Sequence, residues 1–136
     1  MGNIGKTMAD ATISREVLLD KLAAPVFVKN PDGVYRYANE MACLMFGRPS
    51  SEIIGRSDRQ LFGSELAARM KACDDRLLAD GEHHACEFVL PDFRDGGERC
   101  YWIVRQVLRN AEGQVVGLSG VATDITERKR QEGELV

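Results

Sequence analysis

An α+β domain built on one five-stranded antiparallel sheet is the fold this sequence predicts. Three observations predict it. Strand-like alternation falls in two blocks, residues 25–38 and 85–125, with helical patterning between them. Within each block the connections are short turns, which join antiparallel neighbours. Helices gathered between the second and third strands cover one face of the sheet and leave the other open.

The bulk numbers fit such a domain. The 136 residues are 44% hydrophobic and 29% charged, an ordinary balance for one globular unit. A net charge of −3 argues against a dedicated nucleic-acid binder. No apolar run reaches the length of a membrane span, and the first residues lack the apolar core of a secretory signal. Met1-Gly2 is followed by Lys6, where a myristoylation pattern wants Ser or Thr. A soluble, cytoplasmic segment without membrane contact is expected.

Each element has its own signal. Residues 1–13 carry no periodicity and are expected to be disordered. From Ser14 the apolar positions Val17, Leu18 and Leu22 recur at helical spacing, so 14–24 reads as a flanking helix closed by Pro25. PVFVKN and VYRYA are strands around the turn NPDG, where Pro presets φ and Gly accepts a positive one. Asn39 caps a short helix that Gly47 ends. Its run of Met41 to Phe46 is apolar nearly all round and should be buried. Two further short helical pieces follow, 49–55 and 58–63. Ser64 then caps the longest helix, where Leu66, Met70, Cys73 and Leu77 form one face and Gly81 supplies the stop. Asp74, Asp75 and Asp80 read as its solvated side.

The remaining chain is β. ACEFVLP places Cys86, Phe88 and Leu90 on one side. After the turn RDGG, residues 98–110 form a long strand. Cys100, Trp102, Val104, Gln106 and Leu108 share one face; Tyr101, Ile103, Arg105 and Val107 share the other. NAEG turns the chain, and residues 114–125 return it. The four cysteines, at 43, 73, 86 and 100, include no C-x-x-C pair, and the only histidines are adjacent at 83 and 84. That spacing predicts buried thiols rather than a metal site.

Three pieces in this order resemble a PAS domain, the bacterial sensory module: PVFVKNPDGVYRYAN, GRPSSEIIGRSDRQLF and GQVVGLSGVATDITERKR. The Asp-Ile-Thr at 124–126 is the most specific token, and the resemblance covers about residues 15–130. It implies a core at 25–125, a cleft between sheet and helices that holds a small ligand or cofactor, and a C-terminal signalling helix at 126–136. It also implies an attached output domain, such as a histidine kinase or diguanylate cyclase. The expected cleft wall is Val28, Cys43, Phe46, Phe88, Trp102, Val104 and Gln106, with Gln106 the polar residue on an apolar side. Asp124, Ile125, Thr126 and Glu127 are the expected relay. Asp124 would cap the exit helix and Glu127 would bond back.

The specialised ligand classes are tested by single positions. Where light-oxygen-voltage domains carry their flavin-reactive cysteine, this chain has Asp58, which argues against adduct photochemistry. The long helix carries no histidine, which argues against haem. A small metabolite or a non-covalent flavin is compatible with the residues. No nucleophile–base–orienter set, P-loop or dinucleotide fingerprint is legible, so a non-catalytic module is expected. Three hypotheses follow: a ligand-binding sensor, a ligand-free module that homodimerises through the helix at 14–22, and a thiol sensor using Cys43 or Cys86.

Overall fold

The computed structural model describes Leu18, residues 22–81 and residues 83–134. The expected N-terminal disorder, nearly all of the flanking helix and the dimer interface assigned to it lie outside the described residues.

Two short strands, β1 (Val26–Lys29) and β2 (Tyr35–Ala38), open the domain as a hairpin. Asn30 closes the turn: its side-chain oxygen accepts from the N–H groups of Asp32 and Val34, both at 3.0 Å, while Gly33 takes φ 84°. Helix α1 (Glu40–Phe46) follows. Its cap does two jobs, because the Asn39 Oδ1 accepts from Ala42 N–H and from Val26 N–H, both at 2.9 Å. One oxygen thus satisfies an orphan helical donor and anchors the start of β1. α1 is buried on one side only, through Ala42, Met45 and Phe46, whereas Leu44 is exposed. The expectation of all-round burial overstated what a seven-residue helix on a sheet can cover.

Residues 50–52 form a single 3₁₀ turn, less than the helix read at 49–55. Helix α2 (Asp58–Phe62) starts with a complete capping box between Ser57 and Gln60. Helix α3 (Ser64–Asp80) begins after Gly63, at φ 86°, with no side-chain cap; the hydroxyl of Ser64 plays no such part. Gly81 ends α3 in the left-handed conformation, as its position implies.

The second block is β3 (His83–Pro91), β4 (Glu98–Arg109) and β5 (Val115–Asp124), followed by helix α4 (Thr126–Gln131). β3 starts at the histidines, two residues before the block that the sequence pattern predicts. All neighbours are antiparallel in the order β2-β1-β5-β4-β3, so β5 pairs with β1 at the middle of the sheet. The core lies between the sheet and α1–α3. Phe27, Tyr35 and Phe46 meet at ring separations of 5.4–5.8 Å, and Phe62 adds to Phe46 at 5.2 Å. Among the described residues no helix is long and apolar enough to cross a membrane.

Candidate functional site

The long strand alternates as its sequence implies, but the opposite face points inward. Tyr101, Ile103 and Arg105 are buried under the helices; Trp102 and Val104 are 40% and 37% exposed, and Gln106 is exposed beside them. Val28 shares that outer face, alternating with Phe27 and Lys29, and both Val28 and Gln106 pair with Ser119. Of the seven residues expected to line the cleft, Phe46 and Phe88 lie in the core and Cys43 packs against it. The other four sit across the sheet from the helices. Both faces of β4 carry similar apolar weight, so alternation alone could not choose between them. The partner that neutralises Arg105 made the choice.

That partner is Asp74. Its carboxylate accepts from Arg105 Nη1 at 2.6 Å and from Lys29 Nζ at 2.5 Å. Lys29 also donates to Asp58 at 2.9 Å, and Asp58 accepts from the Tyr35 hydroxyl at 2.5 Å. Lys29 and Arg105 are each 1% exposed. Five polar side chains from β1, β2, α2, α3 and β4 therefore close one network inside the domain. Its four charges cancel, as buried charges must if they are not to be expelled. The Arg105 guanidinium lies 5.1 Å from the Phe88 ring and 5.9 Å from that of Phe27, so aromatic faces supply part of its lost hydration. Its Nε–H has no partner among the described residues. Burial, and then the Asp58 carboxylate, hold the Tyr35 phenol well above its ordinary pKa, so it stays a donor.

A cavity of about 190 Å³ opens onto this network. The hairpin turn (Pro31–Gly33), the start of α2 (Ser57–Arg59), one side of α3 and Leu118 line it, and Asp58 and Asp74 form part of its wall. Asp74 follows from Met70 by one helical turn and so belongs to the buried face of α3, while Asp75 points to solvent and pairs with Lys71. Of the three acids read as the solvated side of this helix, Asp75 and Asp80 are exposed and Asp74 is buried. The missed signal was a pair of basic residues, Lys29 and Arg105, each alternating in phase with core aromatics or aliphatics.

At the other end of the sheet, Asp124, Ile125 and Thr126 join β5 to α4. Thr126 is fully buried; its hydroxyl oxygen accepts from Cys100 N–H at 2.9 Å and its own proton goes to Asp124 at 2.5 Å. Asp124 also accepts from Thr126 N–H at 2.9 Å and from Arg99 Nε at 2.7 Å, and Arg99 reaches Asp92 at 3.2 Å. Lys129 on α4 pairs with Glu87 of β3 at 3.0 Å. The exit helix is thereby tied to three strands. The expected reciprocal cap is not formed: Glu127 faces solvent, 3.9 Å from Arg130, and Thr126 takes the place it was expected to fill.

Partial burial opposes ionisation of Asp124, but the Thr126 and Arg99 hydrogen bonds outweigh it and hold the carboxyl below its usual range. A depressed folded-state pKa contributes stability above the unfolded value of about 3.9, lost as pH falls through the lower folded value. The stability gap between the native chain and Asp124→Asn is therefore expected to be constant near neutrality and to shrink below about pH 4. Urea titrations at several pH values measure it. A gap unchanged between neutral and strongly acidic pH would count against this account.

A hairpin, an inserted helical layer, a three-strand return and a docked exit helix define one class of α+β domain, and the family comparison agrees with it. The chain belongs to the PAS family: the model described as PAS fold matches residues 19–130. The chain is 34% identical over 111 residues to the methanogenesis regulatory histidine kinase FilI of Methanothrix harundinacea, covering 82% of this chain and 12% of that protein. It is 33% identical over 118 residues to a diguanylate cyclase of Vibrio cholerae, covering 82% and 35%. The chain thus spans a small part of each of these relatives. The solved PAS domain of Bordetella pertussis BvgS superposes with a TM-score of 0.70 at 22% identity, covering 87% of this chain and 88% of that one.

Proposed function

We propose that this PAS domain is a non-catalytic sensor that receives a small polar ligand at the cavity above Lys29, Asp58, Asp74 and Arg105. The change leaves through β5 and α4 to an output domain, of which a histidine kinase or a diguanylate cyclase is the expected kind. One observation carries the reading: Asp58 and Asp74, the two carboxylates of a four-charge network, form part of the wall of a cavity, with their buried partners Lys29 and Arg105 behind them. Apolar residues of the same volume would hold sheet to helices at least as well, so an ionic network there is better explained by a guest that exchanges partners with it. Acidic and basic groups both line the cavity, which suits a small molecule carrying charges of both signs. Drug-sized sites measure roughly 300–1,000 Å³, so this smaller volume favours a metabolite over a flavin.

Relay is supported by connectivity. β1 carries Lys29 and pairs with β5, and β5 runs into Asp124 and Thr126. A second reading, a ligand-free interaction module, is favoured by the packed Phe27, Tyr35, Phe46 and Phe62 rings. A thermal-shift screen of amino acids, amines and organic acids, with native mass spectrometry of hits, separates the two. A hit is expected to raise the melting temperature, to change amide exchange in residues 124–131, and to lose at least about tenfold in affinity in Asp58→Asn. No hit, or a hit indifferent to Asp58→Asn, favours the second reading.

A further inference from the structure

The cysteine spacing excluded a zinc motif along the chain, but the fold assembles one across it. Cys73 lies on the buried face of α3. His84 and Cys86, two residues apart on β3, face it from the sheet, with β3 held in place by the pairs His84↔Arg105 and Cys86↔Ile103. The ligating atoms of all three lie within 4.8 Å of one another, and the two sulfurs are 3.0 Å apart.

We infer that Cys73, His84 and Cys86 form a three-ligand site for a borderline-soft divalent metal ion, with Zn²⁺ the expected occupant and its fourth position open to solvent. Two thiolates and an imidazole are the donor set that selects such ions over Mg²⁺ or Ca²⁺. The dimensions fit. Bonds of about 2.3 Å to sulfur in a tetrahedron set the sulfurs about 3.7 Å apart, so the thiols need part by less than an ångström. One bond of each side chain is enough to make that adjustment. All three residues are half-buried, which leaves a path for the ion and for the fourth ligand.

Charge is conserved on binding. Two thiol protons leave to solvent as one divalent ion enters, so the half-buried site gains no net charge. The site is distinct from the cavity at Asp58. It spans α3 and β3, two elements separated by only two residues in sequence, and would lock one against the other next to Asp74, the neighbour of Cys73 in sequence.

The test is titration of the intact, reduced chain with Co²⁺ under a phosphine reductant, followed by displacement with Zn²⁺. The expected result is one equivalent of cobalt with thiolate charge-transfer absorption and the visible bands of a tetrahedral centre. Cys73→Ser and Cys86→Ser should abolish the charge-transfer signal. His84→Ala should weaken binding at least about tenfold, since losing even an outer-shell partner costs about 10–100-fold. Cys43→Ser and Cys100→Ser should leave it intact. A rise in melting temperature with Zn²⁺ in the native chain, absent in His84→Ala, supplies a readout independent of the cysteine variants. Absence of a stoichiometric thiolate–cobalt band, its survival in Cys73→Ser, or two thiols missing from a titration under reductant would each overturn the assignment.

Discussion

Asp74→Ala is expected to destabilise the domain by about 3–5 kcal/mol, a large part of the 5–15 kcal/mol that keeps a typical domain folded. The cost comes from what is left behind. Asp74 is the carboxylate that Lys29 and Arg105 share, and both cations are buried. Lys29 keeps Asp58 at 2.9 Å, but Arg105 loses its only ion-pair partner among the described residues. An unpaired guanidinium is then left buried against the rings of Phe27 and Phe88. Asp75 is the internal control. It differs from Asp74 by one position on the helix, pairs with Lys71 at the surface, and Asp75→Ala should change stability by less than about 0.5 kcal/mol. Urea unfolding followed by circular dichroism compares the two. Equal losses in the two variants would mean that the network is hydrated rather than buried.

Gly120→Ala should cost about 1–3 kcal/mol, at the upper end of that range, because the added methyl has nowhere to go. A Cβ at this position of β5 falls 2.2 Å from Cζ of Phe27 and within 2.7 Å of both Cε atoms. The ring cannot retreat, since Tyr35 and Phe46 pack against it at 5.7 and 5.8 Å. The backbone of Gly120 is ordinary, so the whole effect is steric overlap rather than φ. Phe27→Leu should therefore relieve part of the cost of Gly120→Ala, and a double-mutant cycle should return a favourable coupling. Additive losses would show that the ring already moves freely. Phe27 precedes Val28 and Lys29 on β1, so a disturbed ring shifts the strand that brings Lys29 to the ionic network.

Much of this architecture was legible before any coordinates. The hairpin follows from Asn30, Pro31 and Gly33, whose conformations are local properties. Asn39, Gly47 and Gly81 mark helix ends for the same reason, and the strand alternation of residues 98–109 depends only on a period of two. The Asp-Ile-Thr segment marked the exit, although Thr126 rather than Glu127 completes its hydrogen bonding. Asp58 drew notice as the replacement for a cysteine, with no indication of the partner it meets.

What sequence determined, then, was every feature that a few consecutive residues can decide: turns, caps, periods and the order of elements. Tertiary structure alone decided which face of β4 looks inward, that Asp74 and not Asp75 is buried, and that Cys73 meets His84 and Cys86. The physical reason is common to all three. Burying a charge or gathering metal ligands is favourable only when the partner arrives, and the partners come from strands and helices up to 45 residues apart, as Lys29 and Asp74 are.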